Sequence, residues 1–460
     1  MIAREPLGRY ESMFGLQMAT GGAMPSLNFT FAVELSRVVS PAELCACMNE
    51  LIKRHPALRQ SIELTGCCAP RLERVTCDPS APPCDTTILE KPWASSTDLE
   101  AAMEDELCYE WTTGTAPMMR VTILTAADRT ASCLLFSFCH AQFDGKSAQI
   151  VAEECVVLLQ GGDLGSSRHC SAPWHLEGIC KQAGVTATKD VAAAVTPMMP
   201  PWTSYKWLTH YFERFSKVRP SRPAVRPRQV THGVLTLSLT KEQSAAVLAS
   251  AKQQGVTVTA WQMAAFTIAT TALPNFLSGS GVRLGITYDA RAALPEACQG
   301  RLGMLFGSGF AYLHPPRTSN GSDDDGFAEL CQASAKHLAQ VKQGSWQLAA
   351  GTVLNSYLPP ARIGSLSMKV YPKLLAEKFD KGFVVSNLGK TSFTSHATLQ
   401  VKRSWLAGCV FPHGCLMLQT TTTNGLMSLA LVFAKPALSK EDVGIVRDAL
   451  LARIGSYTYR

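Results

Sequence analysis

Apolar and polar positions alternate with period two over Leu27–Leu35 (LNFTFAVEL), which predicts a strand. Ser40 then stands as an N-cap, with Pro41 at the first helical position and Glu43 three residues after the cap. Leu44, Met48, Leu51 and Ile52 recur along one side of a helix that stops at His55-Pro56, and Asn49, Glu50 and Lys53 mark its polar side. The Pro- and Cys-containing stretch 66–85 reads as loop and edge strand. MMRVTIL, a turn at Ala126–Thr130 and SCLLFSF predict a hairpin whose second strand ends at Cys139-His140. AQFDG is then a loop, and Ile150, Val151, Val156, Val157 and Leu158 space a helix over Lys146–Gln160, closed by Gly161-Gly162. His140 therefore leaves a strand and Asp144-Gly145 enters a helix.

Residues 161–230 are irregular, with Trp-rich helical segments around Trp202–Phe215 and then a Pro/Arg-rich stretch. The pattern restarts with the strand THGVLTLSL and a helix from Thr240, where Gln243 completes a capping box. Thr257–Leu273 is a strongly apolar helix, and RLGITY is a short buried strand ending at Asp289-Ala290-Arg291. LMLQTTTT, Asn424-Gly425 and LMSLALVF predict a hairpin on a type I′ turn. Ser439 and Glu441 open the closing helix. The expected organisation is residues 1–215, a linker at 216–230, and residues 231–460. Each half is an α/β (α+β) arrangement of helices on a mixed sheet, in loosely similar order.

Composition removes several function classes. With 460 residues, 46% hydrophobic, 17% charged and a mean hydropathy of +0.06, the chain can bury a large core and is not disordered. The net charge of +7 is partly held in Lys217, Arg219, Arg222, Arg226 and Arg228, threaded with prolines, which read as a solvated linker. No basic face with interleaved aromatics points to nucleic acid. No run approaches the ~18 apolar residues of a membrane span. The start, MIAREPLGRYESMFGL, has no apolar h-region and does not read as a signal peptide. The 16 cysteines are scattered without a CxxC pair, so a reduced, cytoplasmic protein with no metal is expected. Asp323-Asp324-Asp325 reads as an exposed acidic loop. RLGMLFGSG reads as a strand edge where backbones approach closely.

The sharpest motif is His140-Ala-Gln-Phe-Asp144-Gly145. From the residue counts an H-x-x-x-D-G is expected by chance about 0.02 times in such a chain. A histidine titrating near ~6.5 is largely neutral at pH 7 and can take a proton from a hydroxyl or amine. Asp144, followed by glycine at a helix start, is better placed to lock the loop than to complete a triad, and Arg291 is the arginine nominated to pair with it. Cys139 and His140 leave a strand on opposite sides and do not form a nucleophile–base pair by spacing alone.

HAQFDG, together with LGRYESMF, KRHPALR, GVTVTAWQMAAF, YDAR, RLGMLFG, VVSNLGK and NGLMSLALVF, resembles the superfamily with the chloramphenicol acetyltransferase-type fold. Its members include BAHD acyltransferases, alcohol O-acetyltransferases, polyketide-associated acyltransferases and nonribosomal-peptide condensation domains. Condensation domains carry two adjacent histidines where this chain has Cys139-His140. Plant-type BAHD enzymes carry DFGWG where it has the stretch from Phe383 to Gly389. The resemblance is thus closest to the alcohol-acetyltransferase and polyketide-associated branch.

The resemblance implies two such domains with a tunnel between them, His140 as general base, Asp144 with Gly145 as the structural pair, and Arg291 as the partner of Asp144. Ser386 and Asn387 are candidate polar groups near the tunnel, and Trp405 and Phe411 candidate tunnel lining. It further implies acyl transfer from a thioester, acyl-CoA or an acyl-carrier-protein thioester, to a hydroxyl of a small natural-product-like acceptor. No tightly bound cofactor is implied, and a monomer is expected. Release, condensation or cyclisation of a carrier-tethered polyketide or peptide chain, and a non-catalytic binding module of the same fold, are the alternatives.

Overall fold

In the computed structural model the described residues are 3–7, 11, 27–65, 71–76, 87–114, 116–165, 179, 231–274, 276, 281–294, 296–316, 324–343, 382–394, 396–410, 415–435 and 437–458. In the first half these form β1 (Ala3–Pro6), β2 (Asn28–Leu35), α1 (Pro41–Arg54), β3 (Gln60–Thr65), β4 (Arg71–Thr76), β5 (Ile88–Trp93), α2 (Ser96–Leu107), β6 (Met119–Ala126), β7 (Ser132–Cys139) and α3 (Gly145–Leu159). In the second half they form β8 (Thr231–Ser238), α4 (Lys241–Gln253), α5 (Val258–Thr270), β9 (Val282–Asp289), β10 (Phe306–Leu313), α6 (Asp324–Gln343), β11 (Phe383–Lys390), β12 (Val401–Gly408), β13 (Leu416–Thr423), β14 (Leu426–Lys435) and α7 (Lys440–Thr458). The proposed linker at 216–230 and the helical segments around 202–215 lie outside the described residues.

Local chemistry sets the element ends. The Ser40 hydroxyl accepts from the Glu43 N–H while Glu43 reaches back to the Ser40 N–H, so α1 starts on a reciprocal cap. Thr240 and Gln243 cap α4 in the same way, and Ser439 with Asp442 caps α7. Asn424 and Gly425 both have positive φ (52° and 81°), as the type I′ turn between β13 and β14 requires. The acidic run expected as a loop instead enters α6 at Asp324. Carboxylates in a first helical turn offset the positive end of the helix dipole, which makes that run a good helix start.

Two mixed sheets carry the fold. One has the order β12-β2-β7-β6-β5, the other β10-β9-β11-β13-β14-β8, and a small sheet β1-β4-β3 stands beside the first. β12, from the second half of the chain, is therefore a strand of the first half's sheet, with Trp405 opposite Ala32 and Gly408 opposite Phe29. The halves are also joined at the β8 edge. Glu104 and Glu100 of α2 accept from the N–H groups of Val234 and Thr236, both at 2.9 Å, and their second oxygens take Lys435 and Lys440 at 2.8 Å. Exposed strand N–H groups template further pairing, and these carboxylates close that edge.

β7 is buried along all eight positions. Leu134, Phe136 and Phe138 join one apolar cluster with Phe29, Phe31 and Leu406, and Cys133 and Leu135 join another with Trp405. Both faces of that central strand are covered, so it reads as an unbroken apolar run. No helix among the described residues is long and apolar enough to cross a membrane.

Candidate active site

The end of β7 turns sharply. The N–H groups of Gln142 and Phe143 both donate to the Cys139 carbonyl, and the His140 N–H donates to Leu27 O at 2.9 Å. The Gln142 amide reaches across to the Ala57 carbonyl at 2.7 Å, so the KRHPALR segment after α1 anchors this loop. Phe143 packs edge-on against Phe138, with ring centroids 5.4 Å apart.

The loop geometry fixes the imidazole. His140 Nδ1 lies 2.8 Å from the Phe143 carbonyl oxygen, and a carbonyl only accepts, so Nδ1 carries the proton and Nε2 holds the basic lone pair. Phe29 and Phe306 flank the ring at centroid distances of 4.9 and 5.3 Å. Burial among these groups pulls the His140 pKa below its ordinary value of 6.5, against the opposing pull of the Phe143 carbonyl and the Asp144 charge. The neutral, base-competent form is thereby favoured at pH 7.

Asp144 does not touch the imidazole. It caps α3, with Oδ1 accepting from the Ser147 N–H (2.8 Å), the Ser147 hydroxyl (2.7 Å) and Arg291 Nη2 (3.0 Å). Oδ2 accepts from Arg291 Nη1 and the Leu305 N–H, both at 2.8 Å. Desolvation alone would raise the Asp144 pKa. The Arg291 guanidinium and the Ser147 donors outweigh it and hold the carboxyl below the usual range. Arg291 is fully buried and also donates to the Arg301 carbonyl (2.9 Å) and to Asp289 Oδ1 (2.9 Å). The RLGMLFG segment supplies the N–H of Leu305 to Asp144 and the N–H of Gly303 to the Ser147 hydroxyl oxygen. It wraps the ion pair instead of cradling a phosphate.

These elements line an open-mouthed cavity of about 140 Å³, with His140, Asp144, Gly145, Phe306, Ser386 and Asn387 in its walls. The remaining sequence candidates fare differently. Trp405 does not line the cavity. Alternate residues of a strand face opposite sides, and β12 turns Leu406 and Gly408 to the cavity while Trp405 and Ala407 enter the other core. Phe411 lies outside the described residues. Asn387 lines the cavity, yet its amide is bonded to Thr259 Oγ1 (3.1 Å) and to the Gly389 N–H (2.8 Å), where it shapes the end of β11.

Sequence reasoning missed Phe29, Phe306, Gly408 and Gln419. Gln419 carried a legible signal, being the one amide in LMLQTTTT and in step with Met417 on the same strand face. Among the described residues, no group of three or more His, Cys, Asp or Glu side chains is placed to hold a metal ion. The cysteines of the described residues are free thiols; burial raises Cys139 and Cys409, beside the cavity, to about 12.

No family model matches the sequence, and no curated protein matches it. Solved structures do. TRI3, the trichothecene 15-O-acetyltransferase from Fusarium sporotrichioides, aligns with a TM-score of 0.72 at 13% identity, over 100% of this chain and 95% of its own. The first condensation domain of the calcium-dependent antibiotic synthetase aligns at 0.70 and 12% identity, over 99% and 97% of the two chains. The condensation domain of the monacolin K polyketide synthase MokA aligns at 0.65 and 10% identity, over 100% and 98%. The chain thus has the two-lobed chloramphenicol acetyltransferase-like fold of these acyltransferase and condensation domains.

Proposed function

We propose that this chain is an acyltransferase that moves an acyl group from a thioester, acyl-CoA first among the candidates, to a hydroxyl of a small natural-product-like acceptor. The observation that supports the reading is the 2.8 Å approach of His140 Nδ1 to the Phe143 carbonyl, which favours the proton on Nδ1 and a basic Nε2 in a residue that lines the cavity. In the reaction Nε2 takes the acceptor hydroxyl proton as its oxygen attacks the thioester carbonyl carbon. The carbonyl π pair moves to oxygen, then returns as the C–S bond breaks, and the departing thiolate takes the proton from His140. No acyl-enzyme is required, because holding both substrates in contact supplies much of the acceleration. Asp144, Gly145 and Arg291 keep the loop and the start of α3 in place and do not react.

Residues 1–215 supply the base in this scheme, and residues 231–460 supply the opposite wall and Arg291. The chain works in the cytoplasm as a monomer without a tightly bound cofactor. The test is a mass-spectrometric screen of the purified protein with acetyl- to decanoyl-CoA and with acyl-loaded carrier protein, each with alcohol and amine acceptors. Free CoA and an acylated alcohol are expected. Turnover of carrier-loaded chains alone assigns the chain to release or condensation of tethered intermediates, and no turnover with any donor refutes the enzymatic reading.

A further inference from the structure

The polar lining of the cavity contains an amide end that no hydrogen bond among the described residues consumes. Gln419 lies on β13 in register with Ser386 on the neighbouring parallel strand β11, and both side chains line the cavity. The Gly408 N–H donates to Gln419 Oε1, and an N–H only donates, so this bond assigns the flip of the amide. The NH2 end is then the other terminus. It takes no bond to a described group and is not among the sealed polar atoms, although the residue is only 5% exposed. What remains of its exposure is the cavity. Gly408 permits this arrangement, because a Cβ there would stand 3.1 Å from Gln419 Nε2 and 3.3 Å from Phe29 Cβ. Asn387, the amide nominated from sequence, spends its oxygen and an N–H on Gly389 and Thr259, whereas Gln419 is held at one end and open at the other.

Resting on the acyltransfer reading, we infer that the Gln419 amide donates a hydrogen bond to the thioester carbonyl oxygen and, with the Ser386 hydroxyl, stabilises the negative charge that collects there as the acceptor attacks. Each donor aimed at such an oxygen acts more strongly on the transition state than on the bound substrate, so its loss falls mainly on kcat. Nothing covalent passes through Gln419.

The test uses the full chain with acetyl-CoA, following free CoA release with the best alcohol acceptor from the screen. Gln419→Glu keeps an oxygen for the Gly408 N–H but removes both donors, and kcat should fall by about 10²–10³ with a smaller change in KM. Gln419→Met removes the clamp as well and should lose at least as much. A purely structural role predicts the opposite order, with Gln419→Glu near wild type and Gln419→Met impaired; that result overturns the inference while leaving the acyltransferase reading intact. Wild-type inactivity with every donor overturns both. Unfolding midpoints of the two variants separate a lost donor from a lost fold, since a Gln419→Glu protein with a wild-type midpoint and unchanged kcat also refutes the assignment.

Discussion

Replacing Asp144 tests whether that carboxylate is a structural clamp or a partner of the base. Its two oxygens accept five hydrogen bonds, three at Oδ1 and two at Oδ2, in a site where the Asp144 and Arg291 side chains are each only 2% exposed. Asp144→Ala leaves Arg291 buried with only the half-open Asp289 as counter-charge. Breaking one side of a buried ion pair costs about 3–5 kcal/mol, and the lost helix cap adds about 1 kcal/mol. Against a total stability of about 5–15 kcal/mol that is a large fraction. Asp144→Asn should be nearly as damaging, because either flip of the amide turns its NH2 against Arg291 and another N–H or O–H donor. Urea unfolding followed by tryptophan fluorescence reads this directly. Both variants should unfold at markedly lower urea, and Asp144→Ala combined with Arg291→Met should be about 2–3 kcal/mol more stable than the sum of the single losses. A wild-type unfolding midpoint in Asp144→Asn together with collapsed turnover would show that the carboxylate acts on His140, contrary to the geometry.

Three further outcomes follow from the same site. The His140 pKa is lowered, so the base stays neutral as pH falls through 6.5 and the acid limb of kcat/KM should have its midpoint below that value; a midpoint above 6.5 contradicts the burial argument. By linkage the unfolded state takes up the proton first, so stability falls as pH drops below the ordinary value, and His140→Ala should be the less acid-sensitive protein. Trp405→Ala should lower stability by about 3–5 kcal/mol while leaving acyl preference unchanged, since the ring sits in the core behind the sheet. A shifted acyl preference at wild-type stability would return Trp405 to the cavity.

Much of the site was legible because it is local. A strand exit, a four-residue loop and a capped helix place His140, Asp144 and Gly145 within six positions, and caps such as Ser40–Glu43 and Thr240–Gln243 are written in short spacings. What could not be read depends on pairing between distant segments. β12 joins the first sheet beside β2, some 377 residues apart at the Thr30–Ala407 contact, and no period in either strand encodes that choice. The error at Trp405 has the same root. From Ser404 to Gly408 both faces of β12 are buried, so the hydrophobic pattern there carries no parity signal, and only the register against Phe29 and Ala32 shows that Leu406 and Gly408 face the cavity. Asn387 and Gln419 differ in what their amides already hold, a property of folded geometry that composition does not carry. α6 escaped notice because its acidic start resembles a solvated loop until the helix behind it is seen.

The most direct measurement is transfer by His140→Ala beside wild type, with acetyl-CoA and an alcohol the wild type acylates, on proteins matched for unfolding midpoint. The imidazole lines the cavity and holds no part of the ion pair, so the fold should persist while the rate falls by about 10²–10⁴, as expected when a positioned base is lost. Undiminished acylation by that variant would mean that Nε2 takes no proton from the acceptor.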